Sequence, residues 1–141
     1  MKKVLIDLNI ILDFLSKRDD HEAALAVYDL CIKKKIKGYV SSHEITTLSY
    51  FLEKEKYPIL KRNKIINHLL DNLSVLAANA TILRKALESE IVDYEDAVID
   101  ELALHEKVDC IITRNIKEFG KSSNDIMTAR ESIEYLESES D

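Results

Sequence analysis

The 141-residue sequence is poor in residues that interrupt regular structure, with two glycines and one proline. That scarcity argues against a loop-rich all-β fold and predicts long regular elements, mostly helical. Cysteine is equally scarce. Cys31 and Cys110 lack CxxC spacing and sit among apolar neighbours, which points to reduced buried thiols rather than a disulfide framework or a zinc site. No long apolar run is present either: Asp7 interrupts the first one after three residues, so neither a secretory signal nor a membrane span is expected, and the location implied is cytoplasmic. An excess of positive charge is missing as well. With 20 basic and 26 acidic residues the formal charge is −6, which argues against gripping nucleic acid by bulk electrostatics but leaves room for an enzyme that meets phosphates through a metal. What remains is an ordinary globular composition, 46% hydrophobic, and a length that fits one domain spanning residues 1–141.

Val, Leu and Ile stand consecutively in "KKVLIDL", the pattern of a parallel strand covered on both faces. Helical spacing follows in "IILDFLSKR" and in "HEAALAVYDLCIKKKIK", the latter capped by Asp19-Asp20 and closed by Gly38. "YVSS" reads as a small strand, "HEITTLSYFLEKEK" as a helix, and Pro58 opens another in "PILKRNKIINHLLDNL". Then come strand "SVLAA", helix "NATILRKALES" capped by Asn79, helix "DYEDAVIDELALHEKV", strand "DCIITRN" and edge strand "NDIMT". Thr128 and Glu131 form a capping box for the last helix, "ARESIEYLES". The alternation predicts an α/β fold: a three-layer α/β/α sandwich with a central parallel sheet of four to five strands. Ligands in such sheets bind beyond the C-terminal strand ends.

Polar oxygens are expected at that edge. Asp7 ends the first strand, Glu44 opens the helix after the second, Asp93 and Asp96 open the helix before the fourth, and Asn115 and Glu118 follow the fourth. An oxygen-only set suits a hard divalent cation, Mg²⁺ or Mn²⁺. Each residue also has a plain structural reading. Asp7 can cap the next helix, Ser41 with Glu44 has capping-box spacing, and Asp93 with Asp96 can serve as N-cap and its partner. Against that, an unpaired carboxylate at a buried strand end is costly, and two acids on one helix face repel each other without a cation. Asn9 is placed to orient Asp7, Asp13 to lie on a helix surface or behind the ligands, and Asp100 to be solvated. Arg18 and Arg114 flank the proposed site and are candidates for substrate phosphates. The run Lys33, Lys34, Lys35 and Lys37 is either a solvated helix end or an RNA contact. His21, His43, His68 and His105 have no ligand spacing.

In order and separation, "VLIDLNIILDFL", "SSHEITTLSY", "DYEDAVIDELA" and "IITRNIKEFG" resemble the signature blocks of the PIN domain, a family of small α/β nucleases. It includes the VapC-type toxic ribonucleases of bacterial toxin-antitoxin pairs. The resemblance implies catalytic positions at Asp7, Glu44, Asp96 and Asn115, with Asp7, Asp93, Asp96 and Glu118 holding the metal, and Thr113, Arg18 and Arg114 on the substrate. Leu8 stands where a hydroxyl residue is often found, and Asn115 lowers the site's charge; both departures concern a second metal rather than the first. The implied activity is a Mg²⁺- or Mn²⁺-dependent endoribonuclease leaving a 5′-phosphate and a 3′-hydroxyl. The implied partners are RNA, a small antitoxin protein and a second copy of the chain, with no membrane.

Three rival readings remain. A haloacid-dehalogenase-like phosphatase would want a second Asp two residues after Asp7, where Asn9 stands. A receiver domain would want an Asp at a middle strand end, which "YVSS" and "SVLAA" do not supply. A catalytically degenerate PIN fold that binds RNA or protein without cutting is compatible with Asn115.

Overall fold

Val4, Leu5 and Ile6 of strand β1 (Lys2–Ile6) are all buried, and successive strand side chains point to opposite faces, so both faces of β1 must be covered. They are. The structure, a computed structural model describing residues 1–138, places Val4 and Ile6 in one apolar core and Leu5 in another. The first core is closed by helices α1 (Leu8–Leu15), α2 (His21–Ile32), α3 (Ser42–Lys54), α4 (Ile59–Asn72) and α7 (Ala129–Ser138). The second is closed by α5 (Ala80–Leu87), α6 (Tyr94–Glu106) and the short 3₁₀ turn Ile116–Phe119. The result is an α/β/α sandwich. Among the described residues the sheet has five strands, with β2 (Ile36–Ser41), β3 (Ser74–Leu76), β4 (Cys110–Ile112) and β5 (Ile126–Met127) joining β1.

Every neighbouring pair in the order β3-β2-β1-β4-β5 is parallel. The chain builds β2 and β3 on one side of β1, then crosses to build β4 and β5 on the other. The crossing leaves a switch point between β1 and β4, where such sheets open a crevice at the C-terminal strand ends. Asp7 begins there: its N–H donates to Ile112 O at 3.0 Å, the last bond of the β1–β4 ladder.

Several local readings carry through. Asn79 caps α5 by accepting the Ile82 N–H at 2.9 Å. Thr128 and Glu131 form the reciprocal box, with bonds of 2.9 and 3.1 Å. Others are corrected. The side chain of Asp20 makes no capping bond to α2; it pairs instead with Arg130 on α7 at 2.5 Å. Gly38 does not close α2 but lies inside β2, and the reversal is made by Lys34 at φ 58°. Glycine is required at position 38 by contact rather than by backbone angle. A Cβ there would stand 2.6 Å from Cys31 Sγ and 2.8 Å from Leu73 Cδ2. Gly38→Ala is therefore expected to destabilise the protein by about 1–3 kcal/mol through overpacking, read as a lower urea midpoint with unchanged m-value.

Cys31 and Cys110 are free and buried, and burial pushes both thiols up to about 12. The lysine run lies at the N-terminal end of β2, the sheet edge opposite the crevice; Lys33 pairs with Asp29 at 2.8 Å and Lys37 lies over the Tyr39 ring. Among the described residues no helix is long and apolar enough to cross a membrane.

Candidate functional site

A cavity of about 540 Å³ opens at the C-terminal strand ends. Its lining brings together Asp7, Glu44, Asp93, Asp96, Asn115 and Glu118, six candidate residues from four separate segments of the chain. His43 and Glu95 stand in the same lining, paired with each other at 3.1 Å. Apolar side chains including Leu8, Leu12, Leu76 and Leu102 form the rest of its wall.

Asp7 is held from three directions. Its Oδ1 accepts the Leu8 N–H at 2.9 Å, so it does cap α1. Its Oδ2 accepts the Thr113 hydroxyl at 2.8 Å and the Asn9 amide at 3.3 Å. Thr113 is fully buried and its hydroxyl also accepts the Asn115 N–H at 3.1 Å. One threonine thus ties the first acid to the loop that carries Asn115. Thr113 and Arg114 stand behind and beside the cavity rather than in its lining. Thr113→Val keeps the shape and removes the donor; losing that buried bond to the Asp7 carboxylate is expected to destabilise the protein by about 1–2 kcal/mol, read as a lower urea midpoint.

The capping readings hold at Ser41 and at Asp93. Ser41 accepts the Glu44 N–H at 3.1 Å and donates to Glu44 Oε1 at 3.2 Å, while Glu44 Oε2 accepts the Leu8 N–H at 2.7 Å. Glu44 is only 6% exposed, and burial together with the adjacent Asp7 carboxylate holds its carboxyl well above the usual range. Asp93 caps α6 by accepting the Asp96 N–H at 3.0 Å. Asp96 points into the cavity's acidic cluster: burial, the adjoining Glu118 carboxyl and the charges of Asp93 and Asp7 push it from 3.8 to about 8. Burial and the neighbouring carboxylates thus raise two of the acids in the same direction.

A family model described as the PIN domain matches residues 3–117, which includes every residue of this cluster except Glu118. The chain belongs to the PIN-domain family. PIN domains are generally nucleases, and membership supports a hydrolase. Solved structures share the fold at low identity. VapBC2 from Rickettsia felis, bound to a promoter DNA fragment, is 24% identical over 89% of this chain and 96% of its own, with a TM-score of 0.63. VapBC-1 from nontypeable Haemophilus influenzae is 18% identical over 91% and 98%, with a TM-score of 0.65. PAE2754 from Pyrobaculum aerophilum is 18% identical over 98% and 91%, with a TM-score of 0.68. No curated protein matches the chain at a significant level.

The donor set of this PIN domain fits a hard divalent cation in kind: carboxylates and one amide, with no thiolate or imidazole required. Among the described residues no three His, Cys, Asp or Glu side chains form a ready-made cage. Magnesium does not ask for one, because it keeps several waters and takes one or two carboxylates directly.

Of the two places expected for Asp13, the buried one is found: it is 2% exposed, facing Arg114 at 3.3 Å and Arg18 at 4.0 Å. Burial pushes its carboxyl up and the two arginines pull it back. Arg18 and Arg114 are thus gathered on one buried acid beside the site. Asp100 is not solvated: it is 5% exposed and accepts from the Ser122 hydroxyl and from Asn124 Nδ2, at 2.7 Å for the latter, fastening the loop before β5 to α6. His43 and Glu95 at the cavity wall were not singled out as a pair by sequence, and no local spacing links them.

Proposed function

We propose that this PIN domain, acting as one unit over residues 1–141, is a Mg²⁺- or Mn²⁺-dependent endoribonuclease and the toxin of a type II toxin-antitoxin pair. The observation that carries the reading is the convergence of Asp7, Glu44, Asp96 and Glu118 on one cavity, where burial and the neighbouring carboxylates raise Glu44 and Asp96. Carboxylates crowded in this way are relieved by a bound cation.

Asp7 and Asp96, with Asp93 and Glu118 beside them, would hold the cation directly or through water. When bound, it would lower the pKa of a coordinated water and neutralise charge on the scissile phosphate. Glu44, fixed by the Leu8 N–H and by Ser41, stands to hold the proton taken from the attacking water. Asn115, tied to Thr113, would orient that water or the phosphate. Arg18 and Arg114 would meet flanking phosphates. Single-stranded or loop RNA is the expected substrate, since unstacked strands can follow a protein groove. The toxin reading draws support from the VapBC relatives, which were solved as pairs; a small antitoxin would cover the acidic edge, and the chain would act as a cytoplasmic homodimer.

The test is cleavage of defined RNAs with Mg²⁺, with Mn²⁺ and with chelator, followed by end mapping. Metal-dependent products bearing 5′-phosphates and 3′-hydroxyls are expected. RNA that is bound but uncut under every metal condition would favour the degenerate PIN fold, for which Asn115 in place of an acid is the motivating residue.

A further inference from the structure

Asn9 and Asp13 lie one turn apart on α1, so they share a face, and both address Arg114. Asn9 Oδ1 accepts the Arg114 backbone N–H at 3.1 Å, while its amide donates to Asp7. Asp13 Oδ1 faces Arg114 Nη1 at 3.3 Å and Arg18 Nη1 at 4.0 Å. That oxygen is buried with no hydrogen bond of good geometry, so the two guanidiniums are what balance its charge. They are not consumed by doing so. The Arg114 side chain is 44% exposed and that of Arg18 34%, and each guanidinium carries five donors, so donors remain for a ligand. Two cations on one carboxylate also leave the trio with a net positive charge in an otherwise acidic neighbourhood.

We propose that Asp13 is a positioning residue that holds Arg114 and Arg18 from inside the fold as a paired grip for backbone phosphates of the strand being cut. This rests on the nuclease reading above and adds to it a fixed relation between the reacting centre and the grip. The path Asp7–Asn9–Arg114–Asp13–Arg18 sets how far from Asp7 a bound phosphate can sit. Guanidiniums sharing one carboxylate stand close enough together to meet one phosphate or two successive ones, and their planar forks suit that anion. A simple structural ion pair would need one cation, and would not need that cation's backbone tied to the residue that holds Asp7.

The test is binding of a labelled single-stranded RNA of mixed sequence, read by fluorescence anisotropy in chelator across a salt series. Asp13→Asn is expected to weaken binding about threefold to tenfold. The slope of log affinity against log salt should become shallower by about 0.7 for each phosphate that the arginines no longer neutralise. In an Arg18→Ala/Arg114→Ala background the same change should have no further effect. Unchanged or tighter binding by Asp13→Asn, or an effect of full size without the arginines, would overturn the proposal. Should Asp13→Asn fail to fold, the wild-type chain answers by NMR, with the Arg18 and Arg114 Nε–H signals assigned through single Lys replacements. Sharp signals that shift on adding RNA support the grip; averaged signals unmoved by RNA refute it. Wild-type protein that binds RNA in chelator yet cuts nothing with Mn²⁺ would contradict the nuclease reading alone.

Discussion

The Asp7→Asn protein is expected to cleave RNA about 100- to 1,000-fold more slowly while becoming more stable than the wild type. Both effects follow from one geometry. Burial is the main cause that raises Glu44 and Asp96, and the Asp7 carboxylate adds to both, so a neutral amide of the same shape removes repulsion from the cluster. Its remaining oxygen can still accept from Leu8 or Thr113, as Asp7 does at 2.9 and 2.8 Å, so the turn into α1 is preserved. Relief of such functional strain gives about 1 kcal/mol, a few degrees in melting temperature. Activity falls because an amide is a weak ligand for a hard cation and carries no charge to offset it. A variant that lost activity and stability together would instead identify Asp7 as an ordinary structural cap. Paired measurements of cleavage rate and melting temperature separate the two.

The second large effect is a pH-dependent stability that metal reverses. Asp96 titrates at about 8 in the folded protein against an ordinary 3.8, and Glu44 shifts in the same direction from 4.5. Between those limits the folded state holds protons that the unfolded state has released, so stability falls as pH rises. The contribution is complete below the ordinary carboxylate range and is lost as pH climbs through about 8. Asp96 is partly solvated, and screening holds its share to on the order of 2 kcal/mol. Saturating Mn²⁺ should flatten that decline, because it takes the place of the protons. At 100 times the dissociation constant, metal binding adds about 2.7 kcal/mol to the folded state. Its affinity should rise about tenfold per pH unit for each proton displaced. Melting curves from pH 5 to 8, with and without Mn²⁺, check this: the gap between the two sets should widen with pH. A gap independent of pH would mean that the shifted carboxyls are not the metal's ligands.

The layers of the fold and the site's address were legible in the sequence for a physical reason. Consecutive Val4, Leu5 and Ile6 can all be buried only between two helical layers, and a sheet built that way places Asp7 at its C-terminal edge. The acids that follow other strands then arrive at the same edge by topology alone. Properties that depend on partners distant in sequence were not legible. Gly38 resembled a helix stop because glycine commonly ends helices, whereas its place is dictated by Cys31 and Leu73 pressing on β2. Helical spacing left Asp13 open between a helix surface and a place behind the site, and Asp100 looked like a solvent-facing acid. Their burial is compensated by Arg114 in one case and by Ser122 and Asn124 in the other, residues that helical spacing cannot reach. Arg114 was recognised as flanking the site from its place in the last motif, but its anchor on α1 appears only in three dimensions.

Oxygens from four separate segments are proposed to form one divalent-cation site. Crystals soaked in Mn²⁺ and measured for anomalous scattering test it most directly. A peak in the cavity within coordination distance of Asp7 and Asp96 is the predicted result; full-occupancy Mn²⁺ found elsewhere on the molecule, with that cavity holding only water, would contradict it.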